Sequence, residues 1–465
     1  MAERKLFAGH AVRRLRRGAG LSQAAMAETL GISASYQNLL ERNQRPLTAA
    51  LLVRLAELFD FDPRALTGTE PGGGVDAVRR RLADPLFADL EVDRAEVVEW
   101  LAAAPGGAEA FARAFDRLDG GGTGAAAADD PTASARREIE RWRNHFADLD
   151  AAAEAIADEL RMGGNDLYGA LAERLRVKHS LTLRVLPAEV IGDALRRLDL
   201  HARQLQLSET LPPHSRAFAA ATQLAQIELR GEMDALARGA GFTDRTAERL
   251  FRRHLGNYAA AAIVMPYARF LRACEASGYD LELLERRFGA GFEQVAHRLT
   301  TLQRVGARGL PFFMIRIDRA AQASKRYAGA SGAALVEADG RCPLWRLHHA
   351  FDRPGELAIQ LVETAGSGAG EGRWLTIARM VTAHGRSQNG VRAEFAVGIG
   401  VEAGQARGLA AARGLDLGGA ATPIGLGCRA CLRPDCPQRS HPPAGRALLV
   451  QERERRASAL AFAGD

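Results

Sequence analysis

The stretch Leu21-Ser22-Gln23-Ala24-Ala25-Met26-Ala27-Glu28-Thr29-Leu30-Gly31-Ile32-Ser33 leaves the backbone little choice of fold. Ser22 and Ser33 each precede a run with helical apolar spacing, and serine is a favoured N-cap. Gly31 falls between the runs, where a tight turn needs a residue free to take positive φ. The pattern predicts two short helices, Gln23–Leu30 and Ala34–Glu41, crossing sharply. Ala25 is expected to let them approach, with Ile32 and Leu39 anchoring the second helix. A preceding helix over Leu6–Arg17, a fourth from a Thr48 cap through Phe59, and a short turn after Asp62-Pro63 complete an expected five-helix module over residues 1–67.

Charge points to the partner of this module. Residues 1–66 hold ten basic and six acidic side chains, so two-thirds of the chain's net charge of +6 sits there. Six of the bases fall between Arg4 and Arg17 with no acid beyond Arg4. A basic module on a near-neutral body is the footprint of nucleic acid. The second helix would present Ser33, Ser35, Tyr36, Gln37 and Asn38 to the major groove, with Gln23 at the groove edge and Arg42 and Arg45 on phosphates. Glu41 is expected to be a structural partner of a nearby arginine. The longest apolar run, Ala259–Met265, is too short to cross a bilayer, and the charged start does not read as a signal peptide. The expectation is a cytoplasmic protein with no membrane partner.

Beyond residue 67 the chain divides by composition. Residues 68–131 read as a linker and helical segment that includes a Gly/Ala/Asp-rich stretch at 120–131. Residues 132–302 read as predominantly helical, with a small sheet from Thr182–Leu186 and the alternating leucines at 198/200 and 205/207. Helices are expected over Ser215–Arg238, Thr243–Leu255 and Tyr258–Ser277, the last interrupted at Pro266. Residues 303–465 read as α+β, with strand-like runs at Phe312–Asp318, Ala333–Glu337, Ala358–Glu363, Trp374–Thr382 and Glu394–Ile399. The fold class expected is mainly α with a C-terminal α+β domain carrying a mixed sheet.

Three of the five cysteines, Cys428, Cys431 and Cys436, crowd into nine residues. An odd, small cysteine count argues against a secreted disulfide scaffold. Clustered thiols in a reducing compartment point to metal or iron–sulfur ligation. Spacing alone leaves two readings open. One is an iron–sulfur cluster, favoured by the proline after the last cysteine. The other is zinc, with His441 as the fourth ligand.

A wider resemblance then becomes visible. Residues 7–66 resemble an XRE/Cro-type helix-turn-helix. The helix from Ser215 and the run Asn257–Pro266 resemble the ImmA/IrrE metallopeptidase domain. That family requires His-Glu-x-x-His, and the matching positions here read Thr222-Gln223-Leu224-Ala225-Gln226. Without those ligands, no peptidase activity is expected, and the alternative of a metal-dependent hydrolase loses its support. Together with the terminal Cys-x-x-Cys-x-x-x-x-Cys-Pro-Gln-Arg, the stretch Ser35–Thr48, Pro311–Arg326 and Arg341-Cys342-Pro343-Leu344-Trp345, the chain resembles the short-chain fatty acyl transcriptional regulators. The resemblance implies control of propionate, acetate or methylcitrate metabolism, an operator on double-stranded DNA, a [4Fe–4S] cluster and an acyl-CoA effector. Cys342 is the protein candidate for a fourth cluster ligand. Arg316, Lys325 and Arg326 are the candidate cations for the CoA phosphates. Two-fold operators make a homodimer the expected form. A regulator that senses redox state or iron through its cluster is the alternative.

Overall fold

The computed structural model describes residues 9–42, 44–59, 74–82, 87, 90, 92–119, 130–161, 166–328, 330–338, 341–364, 372–383, 392–434, 436–450, 453 and 460–462. The chain divides into two compact units, Met1–Ala128 and Asp129–Asp465.

The first unit begins with four helices: α1 (Gly9–Gly18), α2 (Gln23–Leu30), α3 (Ala34–Glu41) and α4 (Ala49–Phe59). Ser22 and Ser33 cap α2 and α3 by accepting from the amides of Ala25 and Tyr36. Gly31 turns the chain at φ 65°, and a Cβ there would meet the Arg54 guanidinium at 2.7 Å. Val12, Met26, Leu30, Leu40, Leu47, Leu51 and Leu55 form the core. The buried anchor of α3 is therefore Leu40, with Leu39 at the rim, and the fully packed small residue of α2 is Ala27, not Ala25. The turn expected after Asp62-Pro63 lies outside the described residues. Three more helices follow, α5 (Val75–Leu82), α6 (Arg94–Ala103) and α7 (Pro105–Asp119). They carry a small aromatic cluster in which the Phe111 ring lies tilted, its centre 5.3 Å from that of Trp100 and 5.7 Å from that of Phe87.

The second unit opens with α8 (Pro131–Arg141), α9 (Ala147–Arg161) and α10 (Leu167–His179). A three-stranded sheet follows: β1 (Thr182–Leu186), a short helix α11 (Ala188–Ile191), β2 (Arg196–Asp199) and β3 (Gln204–Ser208). The order is β1-β3-β2, with β1 parallel and β2 antiparallel to β3. Helices α12 (Pro213–Glu228), α13 (Arg230–Gly239), α14 (Arg245–Val264), α15 (Tyr267–Ser277), α16 (Leu281–Phe288) and α17 (Phe292–Thr300) complete the helical layer. The expected break between Leu255 and Tyr258 is absent. Gly256 continues the helix and faces α12, where a Cβ would make ordinary contact with Gln226 at 3.6 Å and Thr222 at 3.9 Å.

A six-stranded sheet closes the unit: β4 (Phe313–Ile317), β5 (Ala323–Tyr327), β6 (Ala358–Thr364), β7 (Gly372–Thr382), β8 (Glu394–Glu402) and β9 (Thr422–Ile424). Its order is β5-β4-β8-β7-β6-β9, antiparallel except for β6 with β9. The run Ala333–Glu337 is not a strand. It forms a one-turn helix, α18 (Ala334–Glu337), that buries the adjacent Leu335 and Val336, which strand alternation would send to opposite faces. Two short edge strands, β5 and β9, lack strong apolar alternation and were not anticipated.

Side chains of the sheet alternate between two cores. Met314, Leu375, Ile377, Val397 and Ile399 join one cluster with the helical layer, including Leu299 and Leu302 of the preceding segment. Phe313, Ile315, Val362 and Trp374 join Trp345, Leu347 and Cys342 on the opposite face. The expected domain boundary at 302/303 thus falls inside one continuous core.

Candidate functional site: the DNA-facing helix and the cysteine cavity

In the first unit, Glu41 organises the outer face of α3 from below. It is buried, and its carboxylate receives Arg16 Nε at 2.7 Å and Nη2 at 3.0 Å, Gln23 Nε2 at 2.9 Å and Gln37 Nε2 at 2.9 Å. Burial alone would raise its pKa; the hydrogen bonds from Arg16, Gln23 and Gln37 outweigh it and hold the group at about 2. Gln37 is fully buried against Met26, so its expected place in the groove is corrected: its amide is spent inside the module. Gln23 is half-buried and also committed to Glu41. Ser33, Ser35, Arg42 and Arg45 are exposed, and Tyr36 and Asn38 are half-buried. The Ser33 hydroxyl caps α3 and lies 3.1 Å from that of Ser35. The outcome is a rigidly seated helix with a polar face toward solvent and arginines at its C-terminal end, the form that enters a major groove.

In the second unit, four cysteines from two distant segments line one cavity. Cys342, Cys428, Cys431 and Cys436 surround it together with Pro343, Gly425, Gly427, Gln438 and Arg439, and its volume is about 320 Å³ including the mouth. Strand β6 brings the two segments together. The buried Gln360 side chain accepts from the Arg346 amide at 2.8 Å and donates to the Leu344 carbonyl at 3.1 Å, pinning the loop after Cys342. On its other edge β6 pairs with β9, which delivers Gly425 and the loop that follows. Gly425 is required by contact: a Cβ would come within 2.5 Å of Cys431 Sγ. Gly427 takes φ 104° and opens the Cys428 turn.

Arg439 is the residue that sequence reasoning passed over. Nearly buried, it donates Nη1 to the carbonyls of Cys431 at 3.2 Å and Cys428 at 3.4 Å, reaches Arg433 O with Nη2, and lies 4.9 Å from the Phe462 ring. Its signal was the Pro-Gln-Arg that follows the last cysteine. The Ser440 amide faces Cys428 Sγ at 3.5 Å. Burial pushes the Cys342 thiol up, against the pull of the Gly425 and Leu344 amides. His441 is exposed and does not line the cavity. Among the described residues, no three His, Cys, Asp or Glu side chains stand close enough to hold a single metal ion. The arrangement is thus four thiols around one space, with backbone amides aimed at sulfur and an arginine clamping the loop.

The three candidate phosphate cations are each engaged by groups of the protein itself. Arg316 and Lys325 are cross-strand partners, and both pair with Glu293, at 2.9 Å and 2.6 Å. Arg326 donates to the Glu337 carbonyl. At the positions of the missing peptidase ligands, Thr222 bonds back to the Phe218 carbonyl, and Thr222 and Gln226 pack toward Gly256. Among the described residues, no helix is long and apolar enough to cross a membrane.

Comparison with known proteins matches three segments. Residues 8–67 match a helix-turn-helix domain, 176–300 an IrrE N-terminal-like domain, and 301–460 the short-chain fatty acyl coenzyme A regulator C-terminal domain. The HTH-type transcriptional regulator RamB of Mycobacterium tuberculosis is 36% identical over 96% of this chain and 97% of its own length. A propionyl-CoA carboxylase regulator of Cereibacter sphaeroides is 36% identical over 96% of each chain. The HTH-type regulator PrpR of Mycobacterium tuberculosis is 34% identical over 96% of this chain and 94% of its own. A solved Mycobacterium tuberculosis transcriptional regulator superposes with a TM-score of 0.66 at 33% identity, covering 70% of this chain and 98% of that one. With this extent of likeness on top of the helix-turn-helix geometry, the chain belongs to the short-chain fatty acyl coenzyme A regulator family, as a DNA-binding transcriptional regulator.

Proposed function

We infer that this protein is a cytoplasmic, homodimeric, non-enzymatic regulator that binds an operator near genes of short-chain fatty acid metabolism and answers to a short-chain acyl-CoA. The observation that carries the DNA half is the seating of α3: buried Glu41 fixes the helix while Ser35, Asn38 and Arg42 stay available. Relatives named as a propionyl-CoA carboxylase regulator and as RamB and PrpR support the metabolic assignment. The Thr222–Gln226 segment supports a non-enzymatic middle, since a zinc peptidase of this type needs two histidine ligands and a glutamate base there.

Cys342, Cys428, Cys431 and Cys436 would hold a [4Fe–4S] cluster; zinc is the rival occupant. When bound, such a cluster would supply metal–thiolate bonds cross-linking the loop after Cys342 to the C-terminal loop. The protein's own part is to hold those loops: Gln360 pins the first, and Arg439 clamps the second through its carbonyls. The cavity also favours a second reading, in which the redox state or presence of the cluster is the signal.

The test is operator binding by full-length protein carrying its native metal content, titrated with propionyl-CoA and separately with oxidant. A change in operator affinity on adding propionyl-CoA, with iron content constant, is expected. Linkage requires operator DNA to change propionyl-CoA affinity by the same factor. A response to oxidant alone replaces the acyl-CoA reading with the redox reading.

A further inference from the structure

Arg316 and Lys325 share the single carboxylate of Glu293, so other cations are the better candidates for the phosphates of such a ligand. Two arginines beside the three-stranded sheet have donors turned inward with no acceptor. Arg196 lies on β2, the edge strand. Its Nη1 is buried and unpartnered, and burial lowers its pKa with no carboxylate to offset the cost. Arg216 lies in the first turn of α12. Its Nη2 donates to the Glu209 carbonyl at 2.8 Å, but its Nε is buried without a partner.

The register places Arg196 beside Leu207 near the end of β3, and the Glu209 carbonyl, just past that end, holds Arg216. Val185, Leu207 and Arg196 form one row across the sheet, and Leu183, Leu205 and Leu198 form the next. Side chains in these rows share a face. Leu205 and Leu207 are fully buried in the core that includes Ala220, Ala221 and Leu224 of α12. Val185 and Leu198, at the two rims, remain 39% and 38% exposed. Arg216 reaches the same strand end through Glu209, two residues beyond Leu207. Its charge also acts on Tyr168, whose hydroxyl burial pushes up and Arg216 pulls down.

Both side chains are half-buried, but the enclosed Nη1 of Arg196 and Nε of Arg216 lack acceptors, and buried donors without acceptors call for a missing partner. Two of them at one strand end, beside an apolar rim, describe a seat for an anion attached to a larger, partly apolar molecule. Guanidinium forks match phosphate oxygens in geometry as well as charge.

We propose that Arg196 and Arg216 seat the phosphate or pyrophosphate group of an organic ligand, with Val185 and Leu198 flanking its less polar part. Naming that ligand as an acyl-CoA rests on the function proposed above; the anion seat itself does not. It lies in the IrrE-like segment, which precedes Arg316, Lys325 and Arg326, the candidate cations read from the sequence.

Calorimetry on the full chain tests this with propionyl-CoA, propionyl-pantetheine and inorganic pyrophosphate. Propionyl-CoA should bind at least tenfold more weakly to R196Q and to R216Q than to wild type. R196K and R216K, which keep the charge and lose the fork, should lose a smaller factor. Propionyl-pantetheine, lacking phosphates, should bind weakly and alike to all. Pyrophosphate should compete with propionyl-CoA and raise the melting temperature of wild type but not of R196Q. Unchanged operator binding by each variant confirms that its DNA-binding module is folded. If propionyl-CoA does not bind but pyrophosphate does, with the same arginine dependence, the acyl-CoA assignment falls and the anion seat stands. If propionyl-CoA binds wild type and both Gln variants equally, or if neither anion binds, the seat is overturned.

Discussion

The Arg16 guanidinium grips both carboxylate oxygens of Glu41, at 2.7 Å and 3.0 Å, joining α1 to the last residue of α3. The Glu41 side chain is 3% exposed, so removing Arg16 strands a buried charge. Arg16→Met should destabilise the helix-turn-helix by about 3 kcal/mol, the usual cost of breaking a buried pair from one side. Arg16→Lys should recover only part of that, since an ammonium cannot fork. Urea denaturation followed through this unit decides it; an unchanged midpoint for Arg16→Met would show the pair contributes nothing.

Base reading and backbone seating should separate by mutation. Asn38→Ala with Ser35→Ala should weaken specific operator binding by about 10- to 100-fold per lost base contact while leaving non-specific binding nearly intact. Arg42→Ala and Arg45→Ala should weaken binding to all sequences and lower the salt slope by about one each. Gln37→Ala should cost stability instead of specificity, because its amide serves Glu41. Band-shift titrations at several salt concentrations read all three effects. Equal loss of specific and non-specific binding in the Ser35/Asn38 variant would remove α3 from the reading role.

Anaerobically isolated protein should contain iron and sulfide. Cys342→Ser should reduce both, as should Cys428→Ser, Cys431→Ser and Cys436→Ser, since a hydroxyl is a poor substitute for thiolate. Gly425→Ala should also reduce them, because the added methyl meets Cys431 at 2.5 Å. Elemental analysis and visible absorption provide the readout. Full cluster content in Cys342→Ser would move the fourth ligand elsewhere, and stoichiometric zinc without sulfide would end the iron–sulfur reading.

Acid should weaken the second unit through two enclosed histidines. His254 Nε2 lies 2.9 Å from Asn144 Oδ1, and His297 Nε2 lies 3.3 Å from Asn144 Nδ2. Burial, with Lys325 adding to it, holds His254 at about 3; burial, His254 and the nearby cations hold His297 well below its usual value. Both are therefore neutral when folded and protonate more readily when unfolded. Their contribution is present above pH 6.5 and is lost as pH falls below it, at about 1.4 kcal/mol per pH unit for each ring. Urea midpoints between pH 7.5 and 5 should show this slope, and His254→Gln should remove about half of it. A variant with the wild-type slope would clear His254 of the effect.

What was legible in the sequence was mostly local. Caps at Ser22 and Ser33 and the turn at Gly31 depend on neighbours within four residues, so they could be read directly. Gln37 could not, because its burial depends on Glu41 being held by Arg16 from another helix. Arg316 and Lys325 looked like free cations until the fold brought Glu293 between them. The cysteine triad was visible from spacing, whereas the approach of Cys342 depends on Gln360 and on β9 pairing with β6. Arg196 and Arg216 carried no sequence signal in an arginine-rich chain; their missing acceptors appear only once the sheet is assembled.

Because Leu299 and Leu302 share a cluster with Met314, Ile377 and Val397, the helical layer and the six-stranded sheet should unfold as one cooperative body. A chain cut near residue 302 or 312 would expose half of that interior on each fragment, so neither piece should be a faithful surrogate for the whole. Occupancy at either end also acts on a common folding equilibrium: a ligand beside the small sheet and a cofactor beneath the large one would each add RT ln(1 + [L]/Kd) to the same transition.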